Sequence, residues 1–322
     1  MKIRTVCVLG GTGFVGRHLL SRLVEDGYHL RVLTRRRERH RDLLVLPTLN
    51  LIEADVHDPS VLTRELAGCD AVVNLIAILN ESRRDGSDFR RVHVELPRKV
   101  VQACQAQGIQ RLLHMSALNA DAQRGPSLYL KTKGEGEDLV HAAAAQGLRV
   151  TSFRPSVIFG PGDGLFNRFA SLLKLTPPPF FPLACPQSRF APVYVGDVVH
   201  CFATALREND TVGQRYDLCG PRLYTLRQLV EYTARELRLR RRIIGLSDRL
   251  SYWQARIFDH VPGKPFSVDN YLSLQVDSMC RDPFPVIFQI SPTPLEAIVP
   301  AYLQRHSLRA RYSEYRRQAR RG

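Results

Sequence analysis

The chain has 322 residues, enough to bury a large core, and its 44% hydrophobic content is an ordinary globular share. No apolar run approaches the ~20 residues that a bilayer crossing needs, and the N-terminus leads straight into a strand pattern, so no secretory signal is expected. The formal net charge is +15, but no helix-turn-helix, RNP or zinc-finger pattern accompanies it, and no nucleic-acid partner is expected.

Ile3–Leu9 reads as a buried strand that breaks at Gly10-Gly11-Thr12-Gly13-Phe14-Val15-Gly16, and Phe14–Asp26 follows with helical apolar spacing. Strand, glycine turn and helix together make a dinucleotide fingerprint credible. Gly10 allows the tight turn, Gly13 lets backbone approach a pyrophosphate, and Gly16 allows close helix packing. His29–Thr34 alternates as a second strand and Leu49–Asp55 is a third. Pro59–Leu66 is a helix with Asp58 as N-cap, and Cys69–Leu75 is a fourth strand. Asp88–Gly108 reads as a long helix with a kink expected at Pro97. Arg111–Ser116 is a fifth strand, Ser127–Gln146 a helix, and Arg149–Arg154 a sixth strand. This alternation predicts an α/β doubly wound parallel sheet of Rossmann type over residues 1–160, completed by segments around 190–220.

The alternation loosens beyond Arg154. Thr176–Pro182, with four prolines, fits neither a regular helix nor a central strand and suggests a lid. Helices are expected at Thr225–Leu239, with Thr225 as N-cap, and at Ser247–Phe258, Val268–Asp277 and Pro294–Arg305. Residues 161–304 would form a smaller, mainly helical lobe. The seven cysteines are scattered, without metal-ligand spacing, so no metal site and buried reduced thiols are expected.

Two features bear on chemistry. The second strand ends in Thr34-Arg35-Arg36, with no acidic residue where NAD-preferring folds bind the ribose 2′-hydroxyl. Arg35 and Arg36 suit a 2′-phosphate, so NADP(H) is expected over NAD(H). The same arginines also read as part of a solvated surface run. Tyr129 and Lys133 lie four apart and share a helix face. An ammonium beside a phenol favours the phenolate, which suits Tyr129 to acid/base work, with Lys133 also placed to hold the nicotinamide ribose.

With these motifs the chain resembles the short-chain dehydrogenase/reductase superfamily in its extended or atypical branch. The markers are the three spaced glycines, Asp55-Val56, Tyr129-x-x-x-Lys133, the run Arg154–Asp163 and the run Pro192–Val199. A narrower likeness, carried by His114–Asp121, Tyr216–Pro221, Tyr224–Leu226 and Pro292–Glu296, is to bacterial relatives of the nucleotide-binding accessory subunit of respiratory complex I. The resemblance implies that Asp55 and Val56 flank the adenine and that Asn74 to Ala77 line the cofactor. It also implies that Ser116 is the strand-end serine near the reacting atoms and that Arg154 and Pro155 lie beside the nicotinamide. Two departures matter. Many extended members carry a serine-rich triplet where this chain has Ser116-Ala117-Leu118. Many also have Val-Asn where this chain has Val92-His93. That pattern suits tight cofactor holding with weak or no turnover at least as well as an active oxidoreductase or epimerase.

The resemblance and the charge together suggest association with the respiratory chain or quinone metabolism. The stretch 305–322 carries seven arginines against Glu314 alone. It suits an anionic membrane surface or an acidic respiratory complex. A cytoplasmic protein, peripheral on the inner face of the cytoplasmic membrane, is the expectation.

Overall fold

The computed structural model describes residues 3–83, 85–261 and 265–303. The basic stretch from Arg305 therefore lies outside the described residues. In chain order the elements begin β1 (Thr5–Leu9), α1 (Phe14–Glu25), β2 (His29–Thr34), β3 (Leu49–Glu53), α2 (Pro59–Leu66), β4 (Ala71–Asn74) and α3 (Ser87–Arg90). Next come α4 (Leu96–Ala106), β5 (Arg111–Met115), α5 (Leu128–Ala142), β6 (Arg149–Pro155), β7 (Ile158–Phe159), α6 (Leu165–Leu175) and β8 (Phe180–Leu183). β9 (Arg189–Phe190), β10 (Val193–Tyr194), α7 (Val195–Arg207), β11 (Arg215–Leu218) and β12 (Tyr224–Thr225) follow. Last are α8 (Leu226–Glu236), β13 (Arg242–Gly245), α9 (Asp248–Phe258) and α10 (Val268–Ser273), before a helical stretch at 295–303.

Two compact units result. The first comprises Met1–Pro155, Val195–Leu218 and Cys280–Ile290. Its seven-stranded sheet has the order β11-β6-β5-β4-β1-β2-β3, and every pairing is parallel. The doubly wound expectation is met. Strands buried on both faces explain the continuous apolar runs Val6–Leu9 and Leu112–Leu113. One face carries Leu62, Val100, Cys104 and Val140 from α2, α4 and α5 against Cys7, Val72, Leu112 and Val150. α1 and α7 pack together in the same unit, and Phe202 of α7 lies 4.2 Å from the Phe153 ring of β6. Arg111, at the start of β5, is buried and donates to the Thr151 and Thr211 hydroxyls and the Ala205 carbonyl, at 2.7–2.9 Å. Asp58 caps α2 as expected, accepting from Ser60 N and Val61 N.

The long helix expected at 88–108 is interrupted elsewhere than at Pro97. One π-helical turn, Arg91–Glu95, separates α3 from α4, and Pro97 stands at the start of α4. Proline has no N–H to offer the carbonyl four residues back, which is that of His93. Gly136 of α5 fills that place: any Cβ there would overlap the His93 carbonyl oxygen.

The second unit comprises Ser156–Tyr194, Cys219–Met279 and the chain from Ser291. Phe159, Phe166, Leu229, Leu295 and Val299 form one core, and Leu173, Phe181, Val230 and Ile243 another. Asp163 ties the first together, accepting from Gly160 N, Phe166 N and the Tyr302 hydroxyl. Thr225 and Gln228 form a capping box on α8. The proline-rich stretch is irregular only in its first part, since Phe180–Leu183 pairs in parallel with β13 as a two-stranded edge. Cys7, Cys69, Cys104, Cys185 and Cys201 are buried free thiols. Cys219 and Cys280 are disulfide-bonded, against the expectation that all seven are reduced.

Gly16 tests the glycine turn. A Cβ there would overlap the Gly10 carbonyl oxygen and fall 2.6 Å from the Gly11 carbonyl carbon, both fixed backbone. Gly16→Ala should lower stability by about 1–3 kcal/mol in urea unfolding, because α1 must move off the turn. An unchanged midpoint would show that the turn yields.

Candidate functional site

The strand order reverses between β1 and β4, and the crevice outside their carboxyl ends is where doubly wound sheets take ligands. All the residues named from sequence belong to the first unit. Gly10 leaves β1 with φ +81°, and a Cβ there would lie 3.1 Å from Ile76 N. Gly13 N–H bonds back to the Gly10 carbonyl at 3.0 Å. Gly13 is also the N-cap of α1, with no side-chain cap bond and no acidic residue in the first turn. The N–H groups of Phe14, Val15 and Gly16 thus open the helix with its positive end undiluted, which fits a pyrophosphate. The Thr12 carbonyl accepts from Arg17 Nε at 3.1 Å. Arg17 also pairs with Asp42 and meets His40 Nδ1 at 3.2 Å.

Beyond β2 and β3 lies a cavity of about 610 Å³ lined by Arg35, Glu53, Asp55, His57, Asp88 and Arg91, among others. Arg36 is exposed but does not line it. Glu53, at the end of β3, is an acid that the reading of β2 alone did not count. Its carboxylate accepts the Arg37 N–H at 2.8 Å. Asp55 accepts from His57 N, and Asp88 from Ser82 N and Arg83 N. The three acids are thus each engaged by backbone N–H groups. Neither the Arg35 nor the Arg91 guanidinium holds an ion pair among the described residues. Arg91 sits on the π turn and carried no sequence signal, because it reads as one more surface arginine. Val56 is buried in the core beside the cavity's Ala54.

At the ends of β4, β5 and β6 the second cluster forms. Asn74 is buried, with its side-chain oxygen accepting from Ile76 N at 3.2 Å and its amide 3.4 Å from His114 Nδ1. Ala77 is exposed three residues on. Tyr129 and Lys133 stand on one face of α5. The Tyr129 ring packs edge-on against Phe89 and His93, with centroids at 6.2 and 5.5 Å. Lys133 is fully buried and donates from Nζ to the Met115 carbonyl at 2.5 Å. Burial lowers its pKa to about 8, against the opposing pull of the Glu137 carboxylate. Ser116 Oγ donates to Glu137 Oε2 at 3.1 Å, and Arg154 grips the same carboxylate at 2.8–3.0 Å. The Pro155 carbonyl accepts from Leu118 N at 3.1 Å.

Glu137 escaped the sequence reading, since an acid in the run Lys133–Asp138 looks solvated. The signal was the flanking glycines. Gly134 and Gly136 both face backbone so closely that a Cβ would overlap it, so α5 lies close enough to bury that face. His93 also has a role: its Nε2 accepts from Ile78 N at 3.1 Å and its Nδ1 meets the Thr132 hydroxyl at 3.0 Å. Histidine therefore ties the segment after β4 to α5.

A family model described as the NAD dependent epimerase/dehydratase family matches residues 6–219. The chain belongs to that family. The expected likeness to extended short-chain dehydrogenases therefore holds, and a nicotinamide dinucleotide is the family's cofactor. The chain is 28% identical over 326 residues to the mitochondrial NADH dehydrogenase [ubiquinone] 1 alpha subcomplex subunit 9 of Mus musculus, covering 93% of this chain and 79% of that one. It is 35% identical to a ceramide reductase of Caulobacter vibrioides over 201 residues, 60% of this chain and 57% of that one. Among solved structures, a dTDP-glucose 4,6-dehydratase of Streptomyces venezuelae with NAD and TYD bound shares the fold, at TM-score 0.65 and 23% identity. That match covers 76% of this chain and 85% of the other.

The buried histidine gives this site of the family member a pH signature. Burial and the neighbouring Lys133 lower His93 to about 2. An unfolded histidine takes up its proton near 6.5. Below that pH the unfolded chain binds the extra proton, so the folded state loses stability as pH falls; above it the contribution is complete. His93 should account for about 1 kcal/mol per pH unit of that slope averaged between pH 6.5 and 5. Urea unfolding between pH 6.5 and 5 should show a slope shallower by that amount in His93→Gln, and an identical slope would exclude a neutral buried His93.

Proposed function

We propose that this protein holds NADP(H) in preference to NAD(H), in association with the respiratory chain or quinone metabolism, and that cofactor holding outweighs turnover. The observation that carries this reading is the contrast between the two ends of the site. The glycine turn and the cavity fit a phosphorylated dinucleotide: Gly10, Thr12, Gly13, Phe14, Val15 and Gly16 surround the pyrophosphate, and Arg35 and Arg91 face the 2′-phosphate, with Arg36 close in sequence. Asp55 and Val56 flank the adenine. Asn74, Ala77, Lys133, Arg154 and Pro155 stand toward the nicotinamide. At the reacting end, however, the Ser116 proton is committed to Glu137. Leu118 holds the place where many relatives offer a second hydroxyl. A substrate carbonyl would have to draw Ser116 away from a charge-assisted hydrogen bond, which is roughly twice as strong as a neutral one.

The preference is directly measurable. Charge-assisted pairing with a 2′-phosphate contributes about 1.5–3 kcal/mol, so calorimetric titration should show NADPH binding about 10- to 100-fold more tightly than NADH. Arg35→Ala and Arg91→Ala should each erode that ratio while leaving NADH affinity nearly unchanged. Equal affinities in the unaltered protein would overturn the assignment.

A second reading, an active oxidoreductase or epimerase on an apolar or nucleotide-sugar substrate, is favoured by the retained Tyr129/Lys133 pair. A bound nicotinamide supplies hydride acceptance or donation. Tyr129 would exchange the proton at the substrate oxygen, and Lys133, with its pKa near 8, would hold the ribose hydroxyls. In that case Tyr129→Phe should remove most turnover with NADPH affinity nearly unchanged, and a retained rate would take Tyr129 out of the chemistry.

The sequence relatives that carry respiratory names and the +15 charge support a peripheral membrane location on the cytoplasmic face. No helix among the described residues is long and apolar enough to cross a membrane. The arginine-rich stretch 305–322 would contribute attraction to anionic headgroups or an acidic complex.

A further inference from the structure

α9 in the second unit is built with its apolar stripe facing outward. Ser251 and Ala255 are its fully buried residues, packed toward Ala184, Cys185 and Tyr271. Leu250, Trp253 and Ile257 are exposed at 55%, 52% and 60%, and Val261 follows one turn beyond at 40%. At about 100° per residue, Leu250, Trp253 and Ile257 fall within an arc of about 60°. Arg249 and Arg256 are both exposed and lie together on one flank of that arc. The Arg256 guanidinium stacks over the Trp253 ring at 5.8 Å. The helix's acids point the other way. Asp248 accepts the Tyr271 hydroxyl at 2.8 Å, and Asp259 accepts from Val268 N at 3.4 Å.

We infer that α9 is the membrane-contacting element of this protein, lying in the headgroup boundary of an anionic bilayer with Leu250, Trp253 and Ile257 inserted and Arg249 and Arg256 on lipid phosphate. The inference deepens the peripheral location proposed above and rests on it. Charge placement favours lipid: cations flank the apolar arc, and the acids lie on the other side of the helix, each already hydrogen-bonded. Size favours it as well. Three or four side chains fall well short of the ~800 Å² per partner of a stable protein interface, whereas an interfacial helix needs only an apolar face beside basic residues. Tryptophan and arginine are the side chains that suit the apolar–polar boundary.

Trp253 is the chain's one tryptophan, so intrinsic fluorescence reports this position alone. The full chain is titrated with phosphatidylcholine vesicles with and without phosphatidylglycerol, at low and high salt, and sedimentation is followed in parallel. With anionic vesicles the Trp253 emission should shift to the blue and be quenched by lipids brominated near the headgroup. The double variant Leu250→Ser, Ile257→Ser should lose about ten-fold or more in partitioning, with NADPH affinity unchanged. A chain ending at Gln304 should keep the emission shift even if its affinity falls. Sedimentation without any change in Trp253 emission would leave the peripheral location standing and overturn the assignment to α9. Neither sedimentation nor emission change would overturn both. A blue shift that grows with protein concentration in the absence of vesicles would make this face a contact between copies and overturn the lipid assignment.

Discussion

Two cations, Lys133 and Arg154, stand at the carboxyl ends of β5 and β6, and one carboxylate, Glu137, answers both. Glu137 and Lys133 are nearly inaccessible to water. Charges taken into the interior are costly unless paired and hydrogen-bonded. The arrangement therefore depends on how closely α5 approaches the sheet, and that approach depends on glycine. With Gly134 against the backbone of Asp121 and Ala122, and Gly136 against the His93 carbonyl, α5 comes in far enough to bury a lysine and a glutamate on one face. The π turn at Arg91–Glu95 belongs to the same constraint, because it places the His93 carbonyl where Gly136 needs room.

This geometry separates two properties that usually travel together in a dehydrogenase-like site. Positioning is strong. Lys133 is fixed on the Met115 carbonyl, Asn74 on Ile76 N, and His93 bridges Ile78 and Thr132. Polarising power at Ser116, as proposed above, is weak, because its hydroxyl already serves the Glu137 carboxylate. Groups fixed in this way cost little further ordering when a ligand binds. They lower a barrier only if they point at charge that develops during a reaction.

Much of the fold was legible from the chain because local signals agreed with one another. The glycine turn between β1 and α1, the Asp58 cap and the Thr225 cap each carry a residue type that only one local geometry requires. The alternation of apolar strands and amphipathic helices fixed the parallel sheet. What stayed hidden depends on contacts distant in sequence. Nothing local distinguishes Arg91 from its exposed neighbours until the π turn aims it at the cavity. Glu137 reads as a solvated acid until the glycines beside it are seen to meet other backbone. Cys219 and Cys280 sit in a basic chain without a cysteine motif, so their spacing gave no hint that either is disulfide-bonded. Glu53 was overlooked for another reason: its relation to Thr34 is one of strand register, not of sequence.

Arg17 connects the glycine turn to the segment that follows β2. Its Nε holds the Thr12 carbonyl inside the glycine turn, while its terminal nitrogens reach Asp42 and His40, in the short helix that follows Arg35 and Arg36. The proposed pyrophosphate and ribose subsites therefore share one side chain as a strut. A ligand that displaces the Arg35 loop must also move the carbonyl that shapes the turn. The free energies of binding adenosine fragments and pyrophosphate fragments to this protein will then not sum to that of the whole dinucleotide. The shortfall or excess measures the stiffness of that strut.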